Sequence, residues 1–296
     1  MPVLAEKSTI AKPFLKWAGG KSQLLDEIEG RLPVELLTSE IDTYVEPFVG
    51  GGAVFFLIAQ KYDCIKHFYL FDANEDLVNC YKAIKSNVHS LMKQVRALEK
   101  DFLAKSKFAR RDLYYHIREQ FNSERLPAQL IFLNKTCYNG LYRVNRKNQF
   151  NVPFGDYKNP KICDAENLLA VSQVLQKAQI FYGDFEDSYR YIDKKTFVYF
   201  DPPYRPISPT ASFTSYSKDD FSEKDQIRLA KFCRRIDAKG AKFLLSNSDS
   251  KNEDPDDNFF ENQYSCFTID KVKATRAINC KASGRGEINE LLITNY

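Results

Sequence analysis

The chain has 296 residues, of which 44% are hydrophobic and 28% are charged, and its formal net charge is +4. These values are typical of a globular protein with one large domain or two modest ones. The seven cysteines are scattered without a Cys-x-x-Cys pair and the three histidines stand apart, which argues against a disulfide framework and a zinc site. Because no apolar run is long enough for a secretion signal or a membrane span, we expect a cytoplasmic protein with no membrane partner and no metal.

The first distinctive segment, residues 12–21, contains two aromatic rings, three lysines and two glycines ahead of a predicted helix. Its end, Gly20-Lys21-Ser22, resembles the end of a phosphate-binding P-loop. That motif requires a glycine at the position of Leu15, so we reject the P-loop interpretation. The spacing alone supports a glycine-rich lead into a helix and a ligand-binding segment about equally.

A strand, three glycines and an apolar helix follow in the order that is typical of a ligand-binding turn. The glycines at residues 50–52 allow the backbone to pass close beneath a ligand, and the helix after them, which we predict to continue to about Lys61, offers free N–H groups. A second predicted strand, Ile65–Phe71, ends at Asp72, twenty residues after the last glycine. In nucleotide-binding α/β folds, an acid at this distance binds the ribose hydroxyls. A tight turn with a helix-capping aspartate is the alternative.

Residues 75–133 have helical periodicity and separate the glycine turn from the remaining strands. They lead into a basic stretch, residues 139–161, with five positive side chains and one negative. Its Asn139-Gly140 turn signal favours a β-hairpin that pairs Leu141–Asn145 with Gln149–Val152. Arginine, lysine, asparagine and tyrosine on such a ribbon are the side chains that read bases and contact phosphates, so we predict a helical DNA-binding insertion. A solvated loop is the alternative.

The most specific pattern is a run of five β-prone residues, 196–200, followed by Asp201-Pro202-Pro203-Tyr204. The two prolines end the strand, so Asp201 is expected at the carboxyl edge of an α/β sheet, where ligands bind. The Asp201 carboxylate and the Pro202 carbonyl offer two fixed acceptors, and Tyr204 offers a stacking face. This set suits a planar group that carries an NH2. A Pro-Pro turn without a function is the alternative.

Further patterns complete the predicted α/β sheet. At residues 183–185, Asp184 and Phe185 follow a strand and could bracket an adenine, although Asp184 is equally suited to cap a helix. A loop at residues 206–220 is long enough for a lid. The other predicted elements are helices at about Asp164–Lys177 and Glu223–Ala238 and strands at Gln179–Tyr182, Ala241–Ser246, Ser265–Val272 and Ile288–Thr294, with a second basic loop at Lys273, Arg276, Lys281 and Arg285.

Taken together, these motifs resemble the Dam-type (class alpha) site-specific DNA adenine-N6 methyltransferases. The pieces occur in that family's order over nearly the whole chain: FLKWAGGK at residues 14–21, EPFVGGG at 46–52, FDAN at 71–74, NGLYRVN at 139–145, FNVPFG at 150–155, GDF at 183–185 and DPPY at 201–204. The resemblance implies a Rossmann-like methyltransferase domain formed by residues 1–74 and 164–296. It also implies a mainly helical DNA-recognition domain with a β-hairpin at residues 75–163.

The resemblance further implies S-adenosyl-L-methionine as the methyl donor, S-adenosyl-L-homocysteine as its product and double-stranded DNA as the partner of a chain that is monomeric when free. The implied cofactor-binding residues are Trp17, Lys21, Glu46, Phe48, Gly50, Gly52, Asp72, Asp184, Phe185 and Asp201. The catalytic residues are Asp201, Pro202 and Tyr204, and the DNA-binding residues are Lys16, Asn139, Leu141, Arg143 and Tyr157. Most members act on GATC, but Asp156 stands where many relatives carry an arginine, which leaves the exact target sequence open.

The expected chemistry requires an adenine that has been flipped out of the duplex, since a paired base cannot present its amino group. Tyr204 would stack on this base, while Asp201 and the Pro202 carbonyl accept its two amino hydrogens and direct the nitrogen lone pair at the methyl group. The same motif also suits cytosine N4, RNA adenine or a protein glutamine amide. A catalytically idle DNA-binding protein is the alternative from another class, and either restriction–modification or the marking of DNA for repair fits a bacterial, archaeal or phage-encoded enzyme.

Overall fold

The computed structural model describes residues 9–17, 19–205, 221–275 and 287–296. Its centre is a mixed seven-stranded sheet whose strands are β1 (Thr43–Glu46), β2 (His67–Asp72), β3 (Ala178–Tyr182), β4 (Thr196–Phe200), β5 (Lys242–Ser248), β6 (Thr268–Thr275) and β7 (Glu287–Thr294). Their order across the sheet is β3-β2-β1-β4-β5-β7-β6. The first five strands are parallel, and β7 is antiparallel to both of its neighbours. The predicted α/β class is therefore confirmed.

Helices connect the strands and cover the sheet. The α-helices are α1 (Leu25–Glu29), α2 (Val34–Leu37), α3 (Ala53–Lys61), α4 (Glu75–Leu103), α5 (Lys107–Glu124), α6 (Pro127–Thr136), α7 (Ala165–Leu175), α8 (Glu223–Asp237) and α9 (Phe259–Gln263). Short 3-10 helices lie at Lys21–Gln23, Tyr138–Gly140, Phe185–Tyr191 and Ser250–Asn252. Within the described ranges, no helix combines the length and the apolar character that a membrane crossing requires.

Both faces of the sheet are covered at its centre, which explains why β4 is apolar apart from Thr196. All five residues of β4 are buried. Alternate residues of this strand belong to two separate clusters, with Phe197 and Tyr199 on the face covered by α3, α4 and α7, and Val198 and Phe200 on the face covered by α8. The second cluster is rich in aromatic rings that meet edge to face.

The chain between β2 and β3 forms the helical segment that the sequence predicts. Helix α4 contacts β2, β3 and α7 at the sheet and also packs on α5 and α6. It kinks at Asn87, whose backbone is not helical and whose side chain accepts a hydrogen bond of 3.0 Å from the N–H of Ser90. The interior of this segment is formed by buried aromatic rings, among them Phe102, Phe121 and Phe132.

The hairpin predicted after α6 is shorter than expected. Val144 and Phe150 form one isolated antiparallel bridge, and neither arm of this described segment is long enough to count as a strand. The ladder stops because side chains of α5 take the backbone groups that would extend it. Asn122 Oδ1 accepts from the N–H of Phe150 at 2.7 Å, and Tyr114 Oη donates to the carbonyl of Val152 at 2.7 Å.

The sheet brings three acidic residues to one edge. Glu46 is the last residue of β1, Asp72 is the last residue of β2, and Asp201 directly follows β4. These strands are parallel neighbours, so their carboxyl ends meet at the same edge. The predicted position of Asp201 is confirmed, and the candidate site is built around this edge.

Candidate active site

Lys21 and Asp201 form a close ion pair at the carboxyl edge of the sheet. Lys21 Nζ lies 2.8 Å from Asp201 Oδ1, and the lysine side chain is only 3% exposed. Burial opposes the charge of Lys21, but the attraction of Asp201, Tyr204 and Glu290 outweighs it and raises the pKa of the ammonium well above its ordinary value. A permanent positive charge therefore lies inside the pocket.

Asp201 is held by contacts on one of its two oxygens. Oδ1 accepts from Lys21 and, at 3.3 Å, from the hydroxyl of Ser246 on β5. Burial raises the pKa of Asp201 above its ordinary value, and Lys21 and Ser246 oppose this shift. Both contacts use Oδ1, so no donor among the described residues occupies Oδ2.

The Pro-Pro turn after Asp201 is fixed from the protein interior. Pro202 is buried, and the carbonyl of Pro203 accepts a 2.8 Å hydrogen bond from Gln226 Nε2 on α8. Gln226 is fully buried and is itself contacted by Asn247 Nδ2 at 3.3 Å. A buried amide pair thus fixes the direction in which the Pro203 carbonyl points.

Tyr204 is anchored by its hydroxyl, which the sequence did not predict. Tyr204 Oη donates to Glu290 Oε1 at 2.6 Å and accepts from Lys21 Nζ at 2.9 Å. Burial raises the pKa of the phenol above its ordinary value, and it remains neutral as a result. The hydroxyl end of the ring is therefore fixed by two buried side chains, Lys21 and Glu290.

The glycine turn and Asp72 form one hydrogen-bonded unit. Asp72 Oδ2 accepts from the N–H of Gly50 at 2.9 Å and Oδ1 accepts from the N–H of Asn74 at 2.8 Å. Burial raises the pKa of Asp72 to about 6, although both N–H groups oppose the shift. At neutral pH this carboxylate is ionised and can bind hydroxyl groups.

Gly50 and Gly52 are required as glycines. Both have left-handed φ values, 46° and 74°. A Cβ on Gly52 would lie 2.6 Å from Tyr81 Oη, which donates to the carbonyl of Gly50 at 3.0 Å, and a Cβ on Gly50 would meet the ring of Trp17 at 3.0 Å. Trp17 therefore lies directly on the glycine turn, as expected for one wall of a shared pocket.

Glu46, Phe48 and Phe185 complete the pocket wall. Glu46 is buried and accepts from Tyr44 Oη at 2.7 Å, and burial raises its pKa well above the ordinary value. The ring of Phe48 lies 5.5 Å from that of Phe185, and both contact Phe221. Phe185 is only 2% exposed, so it supports Phe48 from behind and does not offer an open stacking face.

Asp184 is engaged in a different set of contacts. Its carboxylate caps the 3-10 helix that begins at Phe185 by accepting from the N–H of Glu186 at 2.9 Å. The same carboxylate receives two hydrogen bonds from Arg228 on α8, at 2.9 and 2.8 Å. The capping interpretation that the sequence left open is therefore the one that describes this side chain.

Three of the candidate DNA-binding residues lie together beside the start of the short hairpin. The exposed side chain of Lys16 covers Gly140, and its Nζ lies 5.0 Å above the ring of Tyr157. Tyr157 Oη in turn accepts from the N–H of Asn139, which has a left-handed φ of 55°. Leu141, next in the chain, is half-buried.

The other candidate DNA contacts lie further along the hairpin. Arg143 Nε donates to Asn151 Oδ1 at 2.7 Å, so the guanidinium is held across the two arms. Asp156 forms an ion pair with Lys107 on α5. Lys273, in the second basic loop, is described, whereas Arg276, Lys281, Arg285 and the predicted lid at residues 206–220 lie outside the described residues.

Comparisons with known proteins decide the family. The family model described as "D12 class N6 adenine-specific DNA methyltransferase" matches residues 17–278. The chain belongs to this family. It is an adenine-specific DNA methyltransferase, and relatives that match over nearly their whole length support this assignment. It is 53% identical over 293 residues to type II methyltransferase M.MjaIII of Methanocaldococcus jannaschii, covering 96% of this chain and 99% of that protein.

Two further relatives match almost the whole length of this chain. Type II methyltransferase M1.LlaDCHI of Lactococcus lactis subsp. cremoris is 39% identical over 302 residues, covering 100% of this chain and 99% of that protein. The DNA adenine methylase of Escherichia coli is 34% identical over 285 residues, covering 95% and 94% of the two chains. The family resemblance inferred from the motifs is confirmed.

Sequence reasoning missed two residues that the D12 methyltransferase places at its candidate active site, Glu290 and Gln226. A signal for Glu290 exists in β7, where alternation puts it on the same sheet face as Leu292, which is 1% exposed. An acid on a core-facing position of a strand is uncommon and marks a residue to examine. The pattern of α8 contains no comparable signal for Gln226, because a glutamine is common on any helix.

Proposed function

We propose that this adenine-specific DNA methyltransferase uses S-adenosyl-L-methionine, bound at the carboxyl ends of β1, β2 and β4, to methylate N6 of a flipped-out adenine. The observation that carries the proposal is the Lys21–Asp201 pair at 2.8 Å beside the Asp72–Gly50 unit. It puts a cation, a candidate amine acceptor and a candidate ribose acceptor at one sheet edge, the position where α/β folds bind ligands.

The groups at this edge fit the methyl donor part by part. The ionised Asp72 is suited to the ribose hydroxyls. The Lys21 ammonium directs its hydrogens at Gly19, Tyr204 and Asp201, so its proposed part is to hold Asp201 and Tyr204 beside the donor. The glycine turn allows close approach of the backbone, while Trp17 and Phe48 supply flat apolar walls. The bound donor would supply an electrophilic methyl group on a sulfonium.

The chemistry of the chain's own residues then follows from their positions. Asp201 Oδ2 and the Pro202 carbonyl accept the two hydrogens of the amino group, which favours a pyramidal nitrogen with its lone pair free. The Asp201 carboxylate stabilises the positive charge that develops on N6 and is placed to accept the proton released there. Preorganised acceptors of this kind are worth about 10²–10³ in rate when one is removed. Tyr204 stacks on the base and offsets part of the cost of flipping it.

We further propose that residues 75–163 form the DNA-recognition domain, and that residues 1–74 and 164–296 form the methyltransferase domain. Asn139, Leu141 and Arg143 are the proposed base readers, with Lys16 and Tyr157 beside them. Tyr157 contacts both Lys16 and Asn139, which supports a common surface. The proposed target follows the family resemblance and is GATC or a related sequence. Asp156 is the reason for including related sequences, because it cannot bind phosphate or guanine as an arginine would.

We propose a restriction–modification role, because M.MjaIII and M1.LlaDCHI are both named type II methyltransferases.

The decisive experiment for the proposed methylation activity is single-molecule, modification-sensitive sequencing of genomic DNA from a host that lacks adenine methylation and expresses this chain. We expect N6-methyladenine at every copy of one short sequence, and none with the Asp201→Ala variant. Modified cytosine, or an unmodified genome despite abundant folded protein, would contradict the proposal.

A further inference from the structure

Glu290 is a buried acid whose position in the core has no structural explanation. It lies in β7 with 6% of its surface exposed, and it pairs with Ser248 on β5 and with Val272 on β6. Its Oε1 accepts from Tyr204 Oη at 2.6 Å. Its Oε2 is buried and has no hydrogen-bond partner among the described residues, and the nearest cation is Lys21, 3.7 Å away.

Such an arrangement is unfavourable for the fold alone. A buried carboxylate oxygen without a hydrogen bond loses its hydration and gains little in return. Apolar side chains such as Leu291 and Leu292 fill the neighbouring positions of β7, and a similar side chain would fill this one without a desolvation cost. The carboxylate is therefore retained for something other than packing.

Two contacts connect Glu290 with the groups that face the substrate. Through Oε1 it fixes the far end of Tyr204, which limits rotation of the ring beside Asp201. Through its charge it shares the Lys21 ammonium with Asp201, at 3.7 Å against 2.8 Å. With two carboxylates around one ammonium, the cluster keeps a net charge of about −1, which complements the positive charge that develops on a methylated amine.

We infer that Glu290 is a positioning residue for methyl transfer, which holds Tyr204 in its stacking orientation and prevents Lys21 from neutralising Asp201. The inference rests on the proposed function of Asp201 and Tyr204. Without Glu290, the Tyr204 hydroxyl keeps only its contact with Lys21, so the ring is held less firmly beside the flipped base. Lys21 is then left with Asp201 as its single anionic partner, so the carboxylate that must accept the amine hydrogens is more tightly held.

The test compares Glu290→Gln and Glu290→Leu with Tyr204→Phe and with the double variant Glu290→Gln/Tyr204→Phe. Glu40→Gln is the matched control. This exposed glutamate precedes the amino-terminal end of β1, whereas the candidate site lies at the carboxyl-terminal ends of the parallel strands. Each variant is measured for single-turnover methylation rate, Kd for DNA, Kd for the methyl donor and Tm. A duplex with 2-aminopurine at the target position reports whether the base is flipped and stacked.

We expect Glu290→Gln to lower the single-turnover rate about 10- to 100-fold with DNA affinity within about twofold. Glu290→Leu should be equally slow with an unchanged or higher Tm, which a purely structural role does not allow. The effects of Glu290→Gln and Tyr204→Phe should be less than additive, since both remove the same tether. The 2-aminopurine signal of the flipped base should change in both variants and stay normal in Glu40→Gln.

A rate within about twofold of wild type for Glu290→Leu overturns the inference, and so does a loss that follows a fall in Tm or in DNA affinity. Neither result affects the proposed function, which fails only if the wild-type chain does not methylate adenine or if Asp201→Ala remains active. The two failures are therefore distinguishable within one set of measurements.

Discussion

Trp17 and Tyr142 stack on each other, with ring centroids 5.4 Å apart and planes inclined by 30°. Trp17 lies on the glycine turn at Gly50, whereas Tyr142 belongs to the segment between α6 and the short hairpin. Tyr142 Oη also donates to Asp76 Oδ2 at 2.7 Å. The proposed cofactor site and the proposed DNA-reading segment thus contact each other directly, which gives a physical route for coupling between them.

From this contact we predict that DNA and the methyl donor bind cooperatively. Tyr142→Ala should reduce the coupling, measured as the ratio of the donor's Kd without and with cognate DNA, by about fivefold, because coupling between sites is usually 5- to 150-fold. Titration calorimetry with and without duplex measures this ratio. Tyr142→Phe keeps the stack but loses the bond to Asp76. If it loses coupling as fully as Tyr142→Ala does, the ring stack is not the connection.

The sequence located the strand ends well, because local chemistry determines them. Two prolines end β4 whatever surrounds it, so the position of Asp201 could be predicted, and the acid that ends β2 was recognised in the same way. Contacts between distant residues could not be derived. Glu290 meets Tyr204 across 86 residues, and this depends on the register of β7 on β5.

The outcome of two local predictions was decided by side chains that are distant in sequence. Asp184 could bind a ligand or cap a helix, and Arg228, on a helix 44 residues away, holds it in the second arrangement. Asn139 and Gly140 lie in a short 3-10 turn, in agreement with the turn signal. The predicted length of the hairpin arms was wrong, because Asn122 and Tyr114 of α5 bind the backbone of the second arm, which no pattern within the hairpin could show.

The pKa of Asp72 predicts a pH dependence of cofactor binding. Burial raises this pKa to about 6 from 3.8, so the carboxylate that we expect to bind the ribose becomes protonated as pH falls through 6. If the donor binds the ionised form, its affinity should fall about tenfold between pH 7 and pH 5. Fluorescence titration of Trp17 measures it.

The matched variant for this prediction is Asp72→Asn, which should bind weakly at both pH values. The stability of the fold should change in the opposite direction. A raised carboxyl pKa means that the folded state binds the proton more tightly, so the contribution of Asp72 to the free energy of unfolding improves as pH falls from about 6 to about 4. Equal pH profiles for wild type and Asp72→Asn would show that another group titrates.

Removing the charge of Asp201 should separate chemistry from DNA binding. Asp201→Asn keeps the shape of the side chain but replaces one acceptor oxygen by an NH2, and we expect a loss of at least about 10²-fold in single-turnover rate with DNA affinity unchanged. Lys21 loses its closest anion but retains Glu290 at 3.7 Å. The free energy of unfolding should therefore fall by less than the about 3–5 kcal/mol typical of a buried pair that loses one partner. Chemical denaturation and rapid-quench kinetics test both parts.

Arg143 should discriminate between bases and not only add affinity. Its guanidinium is presented at a fixed angle by the 2.7 Å bond from Nε to Asn151 Oδ1, and fixed bidentate geometry is the arrangement that reads guanine. Arg143→Ala should reduce discrimination by about 1–3 kcal/mol at one base pair of the target and leave the others unchanged. Methylation rates on duplexes substituted at each position in turn measure this.

Asn151→Ala, which keeps Arg143 but removes the side chain that orients it, should show a weaker form of the same defect. An equal loss on cognate and scrambled duplexes, together with a shallower salt dependence, would instead make Arg143 a phosphate contact.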